Sequence, residues 1–489
     1  MGTGFIRQSK EILIVARAYI SYIWAFLSRA STQIISFLFV AVTSRFLSPD
    51  DFGMIGVLAV FISISNILID SGLSASLILD KSAKDIDWHT LFSFNFVVSL
   101  VLYLLLFLMA SKIESYFEIQ NLAFVCRIIS LTIVIQALYI VPKTLLVKNL
   151  RFDVLFWVQL VASALSAIVS LYFVMCWNMR VEALLFYYIL LAMLPCVGFW
   201  YAAKYRPKFR FSKSSFKKMF AFGSFNTLSS AIDTLYENIL SIFIGKFYNV
   251  SQAGYYTNAK RIEEVPSKSF TELVASVTFP HMSKMNEDRD QFVAYADKLQ
   301  CVLYPLIFPV MVLCAIFSSQ IITVVYGAIW QPASEYLSVL SFAGIAIVIE
   351  NTTRSYIKSL GRADSMFTIA LIKRSIGVFI LVAAVCININ WLLYAYVLAS
   401  FIGAFLNIYM LSRIIEYPIK HQLKLLLRIC CPLALYAASV FVVNNISDSY
   451  YVIGVSVLIL SILYFLLLPI FGLNDSHRIL LDWYKRVSC

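Results

Sequence analysis

The chain is poor in charge. Only 13% of its 489 residues are Asp, Glu, Lys or Arg, while 61% are hydrophobic; a soluble protein of this length carries about a quarter charged residues. It also lacks the paired thiols of a redox or zinc protein. None of its nine cysteines forms a C-x-x-C, and Cys126, Cys314 and Cys386 lie inside apolar runs, where they read as small core residues. The four histidines, His89, His281, His421 and His477, share no metal-ligand spacing, so no metal site is expected. There is no P-loop, no G-x-S-x-G and no H-E-x-x-H, which leaves nucleotide-driven, serine-hydrolase and zincin chemistry without a sequence basis. Strand-like alternation is missing as well, which argues against a membrane β-barrel.

What remains is a series of long apolar runs. They fall near 18–44, 53–79, 91–111, 119–140, 155–176, 181–203, 219–244, 253–279, 299–319, 334–352, 366–387, 391–412, 426–445 and 450–472. Runs near twenty residues are long enough to cross a hydrocarbon layer as helices, so the expectation is an all-α polytopic membrane protein with fourteen spans. The N-terminus, with Arg7, Lys10 and Arg17, leads into a full-length span and reads as a retained anchor. Most of the 39 Lys and Arg fall in the loops after even-numbered spans, in the two termini and at the start of span 11. Only Arg45, Lys112, Arg180 and Lys246 lie in the odd-numbered loops. The positive-inside rule then puts both termini in the cytoplasm. The net charge of +12 is accounted for by those loops and calls for no nucleic acid. The odd-numbered loops are short, so no sizeable soluble domain is expected outside.

Span 8 is the one doubtful by hydropathy, because "NAKRIEEVPSKSFTE" (258–272) carries six charges. If it lay on the cytoplasmic surface, every later loop would change sides and the charge asymmetry downstream would collapse. It is therefore expected to cross. Its Lys260, Glu264, Lys268 and Glu272 recur every four residues, on one face of a helix. Facing lipid, six charges would cost roughly 15–20 kcal/mol on insertion scales, so the face must meet water or protein polar groups. Pro266 removes one backbone donor there and should open the helix locally.

Three more spans carry polar stripes: Tyr22, Arg29, Gln33 and Ser36 in span 1; Ser63, Asn66, Asp70 and Ser74 in span 2; Asn226, Ser230, Asp233, Glu237 and Ser241 in span 7. The stripe Gln159, Ser163, Ser166 and Ser170 in span 5 has no charge beside it and reads as helix packing. Tyr236, Tyr255 and Tyr256 could stack on sugar rings or anchor at the interface. Within the spans five basic residues oppose seven acidic ones, Asp70, Asp233, Glu237, Glu263, Glu264, Glu272 and Glu350. On that count the interior is not cationic. An anion would need Arg29, Lys260, Arg261 or Lys268 grouped away from the carboxylates, while Asp70, Asp233, Glu237 and Glu264 could hold a proton, a sodium ion or a salt-bridge partner.

The chain also repeats itself. "RFLSPDDFGMIG" (45–56) aligns with "KFYNVSQAGYYT" (246–257) at an offset of 201 residues, Gly53 over Gly254, and "TLLVKNLRFD" (144–153) aligns with "SYIKSLGRAD" (355–364) one residue out of step. Six spans separate the copies, which implies two parallel six-helix bundles, 1–212 and 213–412, and an appendix of two spans and a tail over 413–489, with a substrate site between the bundles.

"SRFLSPDDFGMIG" after span 1, "DSGLSASLI" in span 2, "VPKTLLVKNLRFD" (141–153) and "GYYTNAKRI" entering span 8 resemble the signatures of the polysaccharide transporter family. These are the Wzx-type O-antigen flippases of the multidrug/oligosaccharidyl-lipid/polysaccharide superfamily, and the resemblance runs from about residue 15 to 475. It implies two bundles in a V around a central cavity, and flipping of an undecaprenyl-diphosphate-linked oligosaccharide across a bacterial inner membrane. A cavity arginine of related lipid II flippases is similar to Arg29, and a second one could match Lys260 or Arg261. Asp70 stands in span 2 where those relatives have a basic residue, which implies a repeat-unit substrate rather than a peptidoglycan precursor. No cofactor is expected beyond a coupling H+ or Na+. The implied partners are the lipid-linked oligosaccharide, the bilayer, and a polysaccharide polymerase with its chain-length regulator. Two alternatives compete: an ion-coupled exporter of small cationic drugs from the same superfamily, and a polysaccharide polymerase or glycosyltransferase.

Overall fold

A computed structural model describes residues 2–473 apart from 71, 81, 270, 272–277, 279–281, 283–284, 286–287, 361–362 and 447–449. Side chains are described from residue 23 onward, with 70, 75, 79, 221–226, 229, 269, 363–365 and 450–451 also set aside. The described residues are helical with no strand, and they pack into two compact units, Met1–Gly254 and Tyr255–Cys489. Among the described residues, twelve helical segments are long and apolar enough to cross a membrane. The expected spans 7 and 8 are not among them. Span 7 lies within a 35-residue helix and span 8 begins as a 15-residue helix rich in charge.

The first unit comprises α1 (Gly2–Thr43), α2 (Pro49–Asp70), α3 (Leu73–Leu79), α4 (Asp85–Phe117), α5 (Leu122–Ile129), α6 (Leu131–Lys148), α7 (Phe152–Trp177), α8 (Val181–Ala203) and α9 (Lys213–Phe247). The expected span 2 is broken into α2 and α3 because Gly72 takes a left-handed conformation with φ 64°, which only a residue without Cβ adopts freely. Ser48 caps the turn into α2 through Asp51, whose Oδ2 accepts from the Ser48 backbone N–H at 2.9 Å and its hydroxyl at 2.8 Å. The Ser212 hydroxyl accepts from the Ser215 N–H at 3.3 Å and starts α9.

The serine stripe of α7 is packing material, as expected. Ser163, Ser166 and Ser170 are fully buried, Ser170 donates to the Ala183 carbonyl of α8 at 2.6 Å, and Gln159 accepts from Ser28 of α1 at 2.5 Å. Small residues let helix backbones approach closely where lipid supplies no hydrophobic drive between them. α2 and α9 run antiparallel. Gly245 admits Val57 at one end, where a Cβ would stand 2.5 Å from the valine methyl, and Leu73 joins Met219 in one cluster at the other.

The chain then turns through 248–249 into α10 (Val250–Glu264). Here the two turns that align in sequence at an offset of 201 residues meet. A Cβ on Gly53 would lie 2.0 Å from the Val250 carbonyl oxygen, and one on Gly254 would lie 1.9 Å from the Pro49 carbonyl oxygen. Positions 49 and 250, like 53 and 254, differ by the offset of 201, so the contact is reciprocal: each helix start presses its backbone onto the other's glycine.

The second unit continues α10 through a π-helical turn, Val265–Ser269, around Pro266, as the proline's missing donor leads one to expect. It then comprises α11 (Arg289–Ile316), α12 (Ser318–Tyr326), α13 (Ala333–Ser359), α14 (Ala363–Val385), α15 (Ile389–Ile414), α16 (Ile419–Ile446) and α17 (Tyr450–Leu467). Asp288 and Asn388 cap α11 and α15, accepting from the N–H of Gln291 at 3.1 Å and Trp391 at 2.9 Å. Tyr304, Phe308 and Met311 of α11 form the main core with Ala346 and Ile349 of α13, Ile408 of α15, and Ile429 and Tyr436 of α16. Two helices of this core, Arg289–Ile316 and Ala333–Ser359, bury 61% of their apolar windows, whereas the last span, Val452–Phe471, buries 11%.

Candidate functional site

The charged residues of α10 sit on a helix whose other faces are core. Ala253, Tyr256, Asn258 and Ala259 are fully covered, and the Asn258 carbonyl accepts from the buried Tyr326 hydroxyl at 3.2 Å. Tyr236 on α9 is buried too, so neither it nor Tyr256 can offer a ring to a sugar. Tyr255 packs edge-on to Trp330, centroids 6.0 Å apart. This packing confines the polar stripe to one side. There the structure brings Lys260 and Lys268 to opposite sides of Glu264, their ammonium nitrogens 3.9 and 4.0 Å from Glu264 Oε1. These distances are long for a charge-assisted hydrogen bond, so one carboxylate is shared by two cations. Lys260 also lies 5.7 Å from the Tyr256 ring centroid. Arg261 is half-buried one position on, and Glu272 falls outside the described residues.

Glu263 points elsewhere. Its side chain is 3% exposed, and its Oε1 has no hydrogen-bond partner among the described residues. Gly344 of α13 makes room for it: a Cβ there would stand 2.5 Å from that oxygen. A buried carboxylate so placed is costly as an anion.

In the first unit Arg29 is exposed on α1 beside Ser28, which is buried against α7. Asp233 is buried and Glu237 half-buried one turn apart on α9, which packs against α2. Asn66 Oδ1 of α2 is covered and makes no hydrogen bond to a described residue. The backbone of Asp70 ends α2, while its side chain is not described. Arg29 and the α10 cations thus belong to different units.

Sequence reasoning missed the most tightly held ions. Lys373 and Arg374, counted there at the cytoplasmic start of span 11, lie ten residues inside α14 and meet Glu350 of α13. Lys373 Nζ donates to Glu350 Oε1 at 2.5 Å and Arg374 Nη2 to the same oxygen at 3.0 Å. The three side chains are 3%, 13% and 7% exposed, and Asn407 of α15 donates to the Glu350 carbonyl at 3.1 Å. Gly403 of α15 leaves the space, a Cβ there lying 3.1 Å from Glu350 Oε2. The signal was a Lys-Arg pair eight residues into an apolar run, where lipid would not tolerate it. These two cations lie inside span 11 and add to the five bases counted within the spans from the sequence.

Residues 42–335, more than half of the chain, match a family described as polysaccharide biosynthesis protein. This chain belongs to that family. Among the family's curated relatives, the teichuronic acid biosynthesis protein TuaB of Bacillus subtilis is 28% identical over 62% of this chain and 63% of its own length, a little under two thirds. The lipopolysaccharide biosynthesis protein WzxC of Escherichia coli is 24% identical over 68% of each chain. Among solved structures, the inward closed lipid II flippase MurJ superposes with a TM-score of 0.71 at 18% identity, covering 95% of this chain and 99% of MurJ. An inward-facing multidrug transporter of the MOP superfamily gives 0.64 at 14% identity, covering 81% and 96%. The family member described here therefore has the fold of MurJ and of the multidrug transporter, and it is a multi-pass membrane protein of polysaccharide biosynthesis.

Proposed function

We propose that this chain is a flippase that moves an undecaprenyl-diphosphate-linked oligosaccharide from the cytoplasmic to the outer leaflet of a bacterial inner membrane by alternating access. The observation that carries this reading is the α10 face, where Lys260 and Lys268 share one carboxylate at 3.9 and 4.0 Å. That arrangement sets two ammonium groups on one face of a helix otherwise locked into the core. A diphosphate is a strong acceptor for ammonium and guanidinium donors, and Lys260, Arg261, Lys268 and Arg29 are the groups assigned to it. Such a cavity has to hold water or headgroup, because the same charges against lipid would be expelled. The lipid tail needs no protein partner and stays in the bilayer. In this reading fourteen spans cross, two bundles rock about the site, and both termini are cytoplasmic. Asp70, Asp233, Glu237 or Glu264 takes the coupling proton or sodium ion, and a polymerase with its chain-length regulator receives the product. No covalent step is involved.

The test is flipping in proteoliposomes of a fluorescent undecaprenyl-diphosphate oligosaccharide, scored by quenching from outside. Wild type should expose the label, while Arg29→Ala and Lys260→Ala/Lys268→Ala should fold and insert but lose at least about tenfold in rate, since each removes a charge-assisted contact. Wild-type rates in all variants would refute the assignment. The buried Glu263 carboxylate favours the other reading, an ion-coupled exporter of cations. That reading requires a drug-sensitive host to gain resistance on expression, and loss of the gain in Glu263→Gln.

A further inference from the structure

At one end of the first unit, the turns before α2, between α4 and α5, between α7 and α8, and between α9 and α10 surround an open cleft of about 1020 Å³. It adjoins the reciprocal crossing, with Asp50 and Val250 in the lining and the Ser251 hydroxyl donating to Asp50. The two cations of the wall are engaged within the protein. Arg180 Nη2 lies 2.7 Å from Ser48 Oγ and 3.2 Å from Asp51 Oδ2; Lys246 Nζ lies 2.5 Å from the Tyr116 carbonyl and 3.0 Å from Glu118 Oε1. Against these two stand the four carboxylates of Asp50, Asp51, Glu118 and Glu182, an excess of two negative charges by formal count. The cleft is not built for a phosphate.

What the wall does present is amide. Gln120, Asn121 and Asn178 are exposed on it, and their side chains hydrogen-bond to no described residue. Each offers an N–H₂ donor and a carbonyl acceptor in one plane, which is the complement of a sugar's vicinal hydroxyls or acetamido group. Asn121 and Asn178 hold left-handed backbone at φ 63° and 50°, a conformation Asn tolerates better than most residues. Phe124, exposed, and Tyr248, half-buried, add apolar faces of the kind that cover sugar C–H groups.

We infer that this cleft is a carbohydrate subsite for neutral or N-acetylated sugar residues, closed by its charge to phosphate and uronate. The inference rests on the proposed flippase reading, in which these turns face away from the cytoplasm, and it gives the glycan a place separate from the cations assigned to the diphosphate. Occupancy would be tied to conformation, because Val250, whose carbonyl bears on Gly53 at the α2–α10 crossing, lines the cleft.

The test uses the full chain in lipid nanodiscs and saturation-transfer NMR with free maltotriose, chitotriose and, as an anionic control, trigalacturonate. Saturation should pass to maltotriose or chitotriose and not to trigalacturonate. Asn121→Gly/Asn178→Gly, which keeps the positive φ, and Gln120→Leu should each weaken the signal about fivefold or more at unchanged thermal stability. No transfer to either neutral sugar, equal transfer in wild type and variants, or preference for trigalacturonate would overturn the subsite. If wild type flips lipid-linked oligosaccharide yet fails this binding test, only the subsite is wrong. If binding holds and flipping is absent, the subsite stands and the flippase reading falls.

Discussion

In the first unit three of the described ion pairs lie at or near the ends of helices. Arg180 meets Asp51, Lys246 meets Glu118, and Lys218 meets Asp80, with at least one partner of each pair largely exposed. In the second unit Lys373, Arg374 and Glu350 meet mid-helix and almost fully covered. The difference decides what each interaction is worth. Exposed pairs trade water for one another at nearly even terms, typically within about 1 kcal/mol. A covered cluster is stable only as a set, since each ion has lost its water and depends on the others. Polar groups tie the turns of the first unit and specify the helix register of the second.

The largest effect should come from splitting that set. Glu350→Ala leaves Lys373 and Arg374 buried together and should cost about 3–5 kcal/mol, read by unfolding in mixed micelles. Replacing all three with apolar residues of similar volume should recover most of the loss; if the triple variant is no better than the single, the cluster does more than neutralise itself. Next comes the crossing of α2 and α10. Gly53→Ala and Gly254→Ala each drive a methyl onto a carbonyl and should cost about 1–3 kcal/mol in nearly equal measure. Gly454→Ala, with nothing within 4 Å of its Cβ, should cost nothing. Unequal losses at 53 and 254 would contradict the reciprocity.

A smaller effect of opposite sign is expected at Glu263. Its carboxylate has no hydrogen-bonding partner on Oε1 among the described residues, so Glu263→Met should leave stability unchanged or raise it by about 1 kcal/mol; a marked loss would reveal a partner. The smallest effect belongs to the exposed pair of the first unit. Hydrogen bonds from Lys218 and Ser82 hold Asp80 well below the usual carboxylate range, and Asp80 in turn raises Lys218. A depressed acid stabilises the fold above its ordinary value near pH 4 and loses that contribution as pH falls through the folded value; the raised lysine contributes below its ordinary 10.5 and fades above it. The melting difference between wild type and Asp80→Asn should therefore be flat from roughly pH 5 to 9 and close toward pH 2. A difference that grows in acid would reverse the assignment.

Most of the helices were legible because a bilayer demands long apolar runs, and Pro266 announced the π turn. The break at Gly72 was not, since a glycine inside an apolar run gives no sign of its φ. Tyr256 and Tyr236 carried the look of interface residues, but burial depends on which neighbour covers them. Lys373 and Arg374 were visible and misplaced, because a count of loop charges absorbs a pair that a helix carries inward. The candidate cations of α10 were legible as a set. Which carboxylate they share, and that Glu263 turns away, depend on side-chain directions that spacing alone leaves open. The two glycines could be aligned in sequence, but their contact joins positions far apart in the chain and needed the topology.

That contact has no side chain to yield. Where main chain rests on main chain, a neighbouring rotamer cannot relax to absorb a shift, so the two helix starts can move past one another only by pivoting as stiff levers. The carbonyl oxygens of Pro49 and Val250 act as bearing points, and any tilt of one lever is handed on to the other.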